Sequence, residues 1–369
     1  MLKHGRFLQR SVGPQGVFHR TRTPRKARSS TAMESVKVAV QEAAPDAPFL
    51  PRSGACAAPL PAGAGPAAIL IGGYVEEADK KRSATNEAWV FDRGGGGSWS
   101  LVPYAPGPAP GPRIASQCVL VGDDVWLIGG WDPSQQGPGA FLDDIWRLST
   151  KDWSWAKVEP QGEQLGGGIS RFQAAAVGDV IYIHTHRTSD HILALDASTA
   201  PPTLRRLPVK PDPEAGAPSA RGLHSVTHVG GGLVLFGGAP QSGPMMGDLW
   251  RLDLASLAWR KLSPAGPAPH VRCSHLAAAA GPARLLVVGG AFYGSSGGLE
   301  MLGDAFIYDL DKNAWEEVVP TGGALPSPRN AAVGVPLSPP AAGASLDLLA
   351  HGGWRAFVES YNDTCIISV

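Results

Sequence analysis

The stretch VWLIGGW, residues 125–131, joins a short apolar run to two adjacent glycines. The same arrangement recurs as AILIGGY (68–74), LVLFGGA (233–239), LLVVGGA (285–291) and LLAHGGW (348–354). The gap between Gly130 and Gly238 is about twice the other intervals, and DVIYIHTHR (179–187) fills it, with His184 and Thr185 in place of the glycines. Repetition at a fixed period predicts a fold assembled from copies of one small unit.

Three more features recur with each glycine pair. An acidic residue or Asn opens the next short strand: Asn86, Asp144, Asp190, Asp248, Asp304 and Asp363. A Trp leads the strand after that, with Leu204 standing in once: Trp99, Trp155, Trp259 and Trp315. A stretch rich in Pro and Gly ends in an arginine before each unit: Arg52, Arg113, Arg171, Arg221, Arg272 and Arg329. Each unit therefore contains four predicted strands, a to d.

This combination resembles the kelch repeat over residues 34–369, because the arginine, the glycine pair, the Asp and the Trp recur together. The resemblance implies an all-β propeller whose blades are four-stranded antiparallel sheets, and the repeats number six. Glycine tolerates close backbone approach and positive φ, so the pairs are interpreted as structural. They are Gly72, Gly73, Gly129, Gly130, Gly237, Gly238, Gly289, Gly290, Gly352 and Gly353.

The sixth unit has no strand d, because the printed sequence stops at Val369 after strand c. Near the other end, SVKVAV (residues 35–40) alternates like a strand and aligns with the Trp-led strands, with Ser35 in the Trp position. We expect this segment to be the outer strand of the sixth unit. It would close the ring and remove the unpaired edges of an open propeller.

Residues 1–33 are predicted to be a basic tail, either an organelle transit peptide or a disordered extension. Residues 1–32 hold eight Lys or Arg and no Asp or Glu, which leaves 24 basic and 32 acidic residues in the remainder. Met33 is an alternative start, and this choice predicts a cytoplasmic protein, with a mitochondrion or chloroplast as the alternative. Four scattered cysteines without a C-x-x-C pair also favour a reducing compartment.

Binding is predicted at one rim of the channel. Strand a begins and strand b ends on the same face, so the six arginines and the residues after each glycine pair share that rim. Arginine and aromatic side chains are enriched at binding hot spots, and guanidinium groups suit carboxylates and phosphates. The rim candidates beside the six arginines are Tyr74, Trp131, His186, Arg187, Phe292, Tyr293, Trp354 and Arg355. The alternative is that the arginines pair with the strand c Asp residues and are structural.

The sequence predicts a monomeric, non-enzymatic protein-interaction module that binds a protein partner through an acidic segment. We expect no cofactor, nucleic-acid ligand or membrane partner. The resemblance leaves two enzymatic alternatives open: an iron-dependent lyase like the nitrile-specifier proteins, and a sugar-acid mutarotase. The nitrile-specifier iron pattern E-x-x-x-D-x-x-x-H is incomplete, because Glu300/Asp304 and Glu359/Asp363 are followed by Tyr308 and Ile367 in the His position.

Histidines give the one candidate metal site. His184 and His186 lie on the same side of a strand and His191 follows after a short loop, a set that could bind zinc or iron. Alternatively, His184 replaces Gly in a degenerate repeat. His224 and His275 are interpreted as structural, and Cys56, Cys118 and Cys273 as buried thiols of strands a.

Overall fold

The computed structural model describes residues 36–44, 47–63, 65–94, 97–321, 323–337 and 345–369. The strands in these residues pair mostly antiparallel, and the described segments contain no α-helix. No helix in this part of the chain has the length and hydropathy needed to cross a membrane. The predicted basic tail, residues 1–33, lies outside the described residues. The all-β prediction is confirmed.

Six groups of four strands, called blades 1 to 6, account for most of the fold. Blade 1 contains β3 (Cys56–Pro59), β4 (Ala68–Ile71), β7 (Ala88–Asp92) and β8 (Ser98–Leu101). Blade 2 contains β9 (Gln117–Val121), β10 (Asp124–Trp131), β11 (Phe141–Ser149) and β12 (Trp155–Val158). Blade 3 contains β14 (Gln173–Val177), β15 (Val180–His184), β16 (His191–Asp196) and β17 (Thr203–Pro208), with the short β13 (Gln161–Gly162) at its edge.

The other three blades follow the same order. Blade 4 contains β18 (Ser225–Val229), β19 (Gly232–Phe236), β20 (Leu249–Asp253) and β21 (Ala258–Leu262). Blade 5 contains β22 (Leu276–Ala279), β23 (Arg284–Tyr293), β24 (Leu299–Asp309) and β25 (Ala314–Thr321). Blade 6 contains β26 (Val333–Pro336), β27 (Asp347–His351), β30 (Thr364–Ser368) and β1 (Val36–Ala44). Small hairpins outside the blades use β2 (Arg52–Ser53), β5 (Tyr74–Glu76), β6 (Arg82–Ala84), β28 (Trp354–Arg355) and β29 (Glu359–Ser360).

The hydrophobic core is divided among the blade interfaces. Six clusters of buried side chains each combine residues from two neighbouring blades, one cluster for every neighbouring pair. The predicted Trp positions supply large members of these clusters, and Leu204 replaces the Trp in blade 3. Trp315, for example, is 2% exposed between blades 4 and 5. Burial of such a side chain contributes about 2 to 3 kcal/mol to folding.

A closed ring of backbone hydrogen bonds surrounds the channel. The innermost strands contact one another in the order β3, β9, β14, β18, β22, β26 and back to β3. Just before each of them, one residue with positive φ donates its N–H to the carbonyl of the equivalent residue in the preceding blade, at 2.8 to 3.1 Å. The six ring residues are Gly54, Ala115, Arg171, Leu223, Ser274 and Ala331.

Strand β1 closes the ring as the sequence predicted. Its second half pairs antiparallel with β30, from Ala39 opposite Ser368 to Ala44 opposite Thr364. Its first half pairs parallel with the end of β25, so blades 5 and 6 share one eight-stranded sheet. Val38 is fully buried in the cluster between these two blades. The pairing therefore covers the outer edge of β30 and anchors β1 by side-chain burial.

Candidate functional site

Five of the predicted rim arginines are buried and occupied by internal partners: Arg52, Arg113, Arg221, Arg272 and Arg329. Arg272 shows the arrangement, with one guanidinium nitrogen donating to the Gly289 carbonyl at 2.9 Å and two donating to the Asp304 carboxylate at 2.7 and 2.9 Å. In blade 1 the acidic partner is Glu87, at 3.1 Å from Arg52, rather than the neighbouring Asn86. The expectation that these five arginines face a ligand is corrected, because their donors are used within the fold.

These ion pairs also determine the charge state of the strand c aspartates. Burial alone would raise the pKa of Asp248, but hydrogen bonds from Arg221 and Trp250 hold that pKa below its ordinary value. The pKa of Asp144 is lowered in the same way by Arg113 and Trp146. These two pairs are therefore ionised and contribute no net charge to the rim.

The glycine pairs make room for the arginine loops. Gly237 has φ of +65°, and a Cβ there would lie 2.6 Å from the Arg272 carbonyl oxygen. The next glycine, Gly238, donates its N–H to that same oxygen at 2.8 Å. A side chain at Gly237 would push the two blades apart, which supports the structural interpretation of the pairs.

Blade 3 departs from the pattern, and the sequence alignment at Arg171 was wrong by two positions. The carbonyl that accepts from the second glycine of blade 2 belongs to Ile169, at 2.8 Å from the Gly130 nitrogen. Ile169 is buried in the cluster between blades 2 and 3, where the other blades bury an arginine. Arg171 instead occupies a place in the backbone ring, with φ of +57°, and its side chain is exposed. No ion pair or side-chain hydrogen bond joins Arg171 to the described residues.

The mouth of the channel is a cavity of about 730 Å³ that lies over the backbone ring. All six ring residues line it, together with aromatic side chains of blades 1, 3, 5 and 6 (Tyr74, Phe172, Tyr293 and Trp354). Among the described residues that line it, the charged ones are Arg82 and Arg171, and none is Asp, Glu or Lys. Amide and hydroxyl groups supply further polar contacts: Ser53, Ser116, Gln117, Gln173, Gln241, Ser242, Ser274 and Asn330. We call this cavity the mouth.

Arg82 was missed by sequence reasoning because it lies in an insertion after the first glycine pair. Its guanidinium carbon is 4.7 Å from the Tyr74 ring centroid and 5.1 Å from that of Trp354, so it joins the hairpins of blades 1 and 6. Glu76 partly neutralises it, at 3.7 Å. Two rim candidates, Tyr74 and Trp354, therefore lie at the mouth, but their rings already contact an internal cation.

The remaining rim candidates are spread around the mouth. Tyr293 lines it and is 62% exposed. Trp131 stacks on Phe141, with ring centroids 6.4 Å apart, and Phe292 packs on His270. Arg355 lies 3.9 Å from Glu359 in the blade 6 hairpin. Arg187 donates to the carbonyls of Gly166 and Gly168, and His186 lies beside it at 3.3 Å.

The three candidate metal ligands are not brought together. Nδ1 of His184 is 3.0 Å from Nε2 of His224, and both rings are buried. His191 is bound instead to Asp190, at 2.6 Å, while His186 is exposed. Among the described residues no group of three or more His, Cys, Asp or Glu side chains is placed to hold a metal ion.

The acidic parts of the nitrile-specifier pattern have structural partners here. Asp304 binds Arg272 and Asp363 binds Arg329, as in the equivalent pairs of blades 2 and 4. All four cysteines, including Cys365, are buried thiols that form no disulfide. These residues are therefore explained by the blade structure.

Comparison with known protein families agrees with this architecture. A model for the KLHDC2/KLHL20/DRC7 Kelch-repeats domain matches residues 185–337, and a Kelch motif model matches residues 112–161. The solved structure described as "Structure of YjhT" superposes with a TM-score of 0.61 and 16% sequence identity, covering 89% of this chain and 97% of that chain. The second comparison supports the fold alone.

Curated relatives include proteins with additional sequence. Acyl-CoA-binding domain-containing protein 5 of Arabidopsis thaliana is 27% identical over 247 residues, which are 63% of this chain and 36% of the relative. Kelch domain-containing protein 3 of Bos taurus is 27% identical over 229 residues, 56% of this chain and 54% of the relative. The match to the Arabidopsis protein thus spans about a third of its length.

Proposed function

Because the chain is a kelch-repeat protein, we propose that it binds an acidic or phosphorylated segment of a partner protein at the mouth, without a reaction of its own. Kelch domains generally mediate protein–protein interactions. The observation that supports an anionic ligand is Arg171, an exposed arginine in the backbone ring with no carboxylate partner among the described residues.

The geometry at Arg171 suits a carboxylate or phosphate. Its main chain is fixed by two ring hydrogen bonds, to Ala115 and from Leu223, so the side chain extends from a rigid base. A guanidinium group can bind an anion with two parallel hydrogen bonds. Amides at Gln117 and Gln173 and the exposed ring of Tyr293 line the same cavity and can contact the rest of a peptide.

A phage-displayed library of random dodecapeptides, selected on the full chain, tests the proposal. We expect the selected peptides to be enriched in Asp and Glu over the starting library. Their affinity for an Arg171→Gln variant should be about tenfold weaker or worse, a loss of about 1.4 kcal/mol or more. The matched control is Arg205→Gln, since Arg205 is exposed on the outer strand of blade 3. Selected peptides without acidic enrichment, or equal binding to both variants, would overturn the proposal.

A further inference from the structure

The stretch from the second glycine position to the Asp or Asn of strand c is shortest in blade 3. After the glycine pair the chain runs from Gly238 to Asp248 in blade 4, and from Gly290 to Asp304 in blade 5, before strand c is reached. In blade 3 it runs only from Thr185 to Asp190. A hydrogen bond from the Thr185 nitrogen to the Thr188 hydroxyl, at 2.9 Å, folds this short turn tightly. Blade 3 therefore leaves a gap between the longer loops of blades 2 and 4.

That gap contains a second cavity, of about 420 Å³, which we call the groove. The groove and the mouth share Arg171, Leu223 and the blade 4 loop Ala239, Pro240 and Gln241, so the two are continuous. Small residues line much of the groove: Gly168, Ser170, Ala220, Gly222 and Ala239. Residues with little or no side chain let another main chain approach closely.

The groove is positively charged. It is lined by Arg171, Arg187, Arg221 and His186, and no Asp, Glu or Lys lines it in the part of the chain that the structure describes. Asp248 neutralises Arg221. Arg187 donates to carbonyl oxygens, and no ion pair joins it to a described carboxylate. The Arg171 guanidinium, at the inner end, therefore has donors available to an anionic ligand, whereas Arg187 has its donors in use and contributes an unneutralised positive charge to the groove.

We propose that the acidic segment of the partner enters over blade 3 as an extended strand, lying in the groove with one carboxylate on Arg171 and another beside Arg187. This inference rests on the proposed function. It adds the path that the acidic segment takes and a second charged contact beside Arg187. Blade 3 lacks the glycine pair and the buried arginine that the other blades have, and its short loop opens the path. The departure of the third repeat from the common pattern thus provides the opening through which the ligand enters.

Site-specific photo-crosslinking tests the path, using the acidic peptides selected above as the probe. A p-benzoylphenylalanine placed at Ala220, which is exposed in the groove, should crosslink to them. The same group at Ser296, exposed on the blade 5 loop, should not. In parallel, Ala220→Trp should fill the groove and weaken binding by about tenfold or more, whereas Ser296→Trp should leave it unchanged.

The outcomes separate the two proposals. If selection yields no acidic peptides, the proposed function fails before the groove is tested. If acidic peptides bind in an Arg171-dependent way but crosslink at Ser296, or bind the Ala220→Trp variant normally, the mouth is the site and the groove is wrong. Crosslinking at Ala220 together with weaker binding to Ala220→Trp supports the path over blade 3.

Discussion

At the scale of single residues, the same residue type has opposite roles in this fold. Arg272 is fully buried and neutralised by Asp304, whereas Arg171 is exposed in the mouth. Breaking a buried ion pair leaves an uncompensated carboxylate in a desolvated position. We expect Arg272→Leu to lower the free energy of unfolding by about 3 kcal/mol, and Arg171→Gln to change it by less than about 0.5 kcal/mol. Urea denaturation of both variants measures this, and equal losses would contradict the assignment of roles.

The sequence could predict the recurrence of arginines but not their roles. Their recurrence with Asp in nearly every unit is itself the sign of a structural pair, and burial, which decides the matter, is a property of the packed blades. The sequence does contain the information that corrects the alignment at Arg171. In RIASQ (residues 113–117) and ISRFQ (169–173) the glutamines align, which places Ile169 with Arg113 and Arg171 with Ala115.

Buried histidines predict a pH dependence of stability. Burial is the largest cause that lowers the pKa of His184, His275 and His351 to about 3, and nearby arginines lower it further. In the unfolded chain a histidine titrates near about pH 6.5. Below that pH the unfolded state therefore binds more protons than the folded state. The free energy of unfolding is highest above about pH 6.5 and decreases as the pH is lowered towards 3.

This dependence can be measured between about pH 6.5 and pH 4.5 by urea denaturation. The aspartates with lowered pKa values lose their contribution only below their ordinary pKa of about 3.9, outside this window. Each buried histidine contributes up to about 1.4 kcal/mol per pH unit. His351→Gln, which can still hydrogen-bond Thr364, should reduce the slope by about that amount. A flat slope would contradict the lowered pKa values of the buried histidines, and a slope unchanged in the variant would contradict that of His351.

At the scale of elements, β1 has one pairing that the sequence pattern predicted and one that it did not. The alternation and the missing strand d predicted its place beside β30, and the structure confirms it. The parallel pairing with β25 was not predicted. It repeats between other blades, as in β13 with β17 and in the bridge from Ala265 to Ala314. Such contacts depend on how close neighbouring blades approach, which no single repeat encodes.

Adjacent residues of β1 provide a matched test of the closure. Val38 is fully buried between blades 5 and 6, and Ala39 is exposed. Val38→Asp should lower the free energy of unfolding by about 3 kcal/mol or more, because it buries an unpaired carboxylate. Ala39→Asp should cost less than about 1 kcal/mol. If urea denaturation finds the two variants equally stable, β1 does not anchor the ring.

At the scale of the whole molecule, the charge distribution makes the mouth distinctive. Lys and Arg equal Asp and Glu over the full sequence, but the eight basic residues of 1–32 leave the rest of the chain net acidic. The proposed acidic segment would be attracted to guanidinium groups that lack a carboxylate partner, such as Arg171 in the mouth and Arg187 in the groove. The backbone ring contains one residue from every blade and lies at the mouth. It therefore places Arg171 near aromatic side chains that are distant in sequence.

Changing the salt concentration and substituting an aromatic residue should separate the electrostatic contribution to binding at the mouth from the aromatic contribution. Tyr293 is exposed, so Tyr293→Ala should weaken binding of the selected acidic peptides by about 1 to 2 kcal/mol without changing the melting temperature. Trp354 contacts both Arg82 and Phe357, so Trp354→Ala should lower the melting temperature as well. Raising the salt from about 0.05 M to 0.5 M shortens the screening length. Titration calorimetry should then show that the cost of Arg171→Gln shrinks while the cost of Tyr293→Ala persists. If both costs persist unchanged, the contact at Arg171 is not an ion pair, and an anionic ligand is the wrong choice for this mouth.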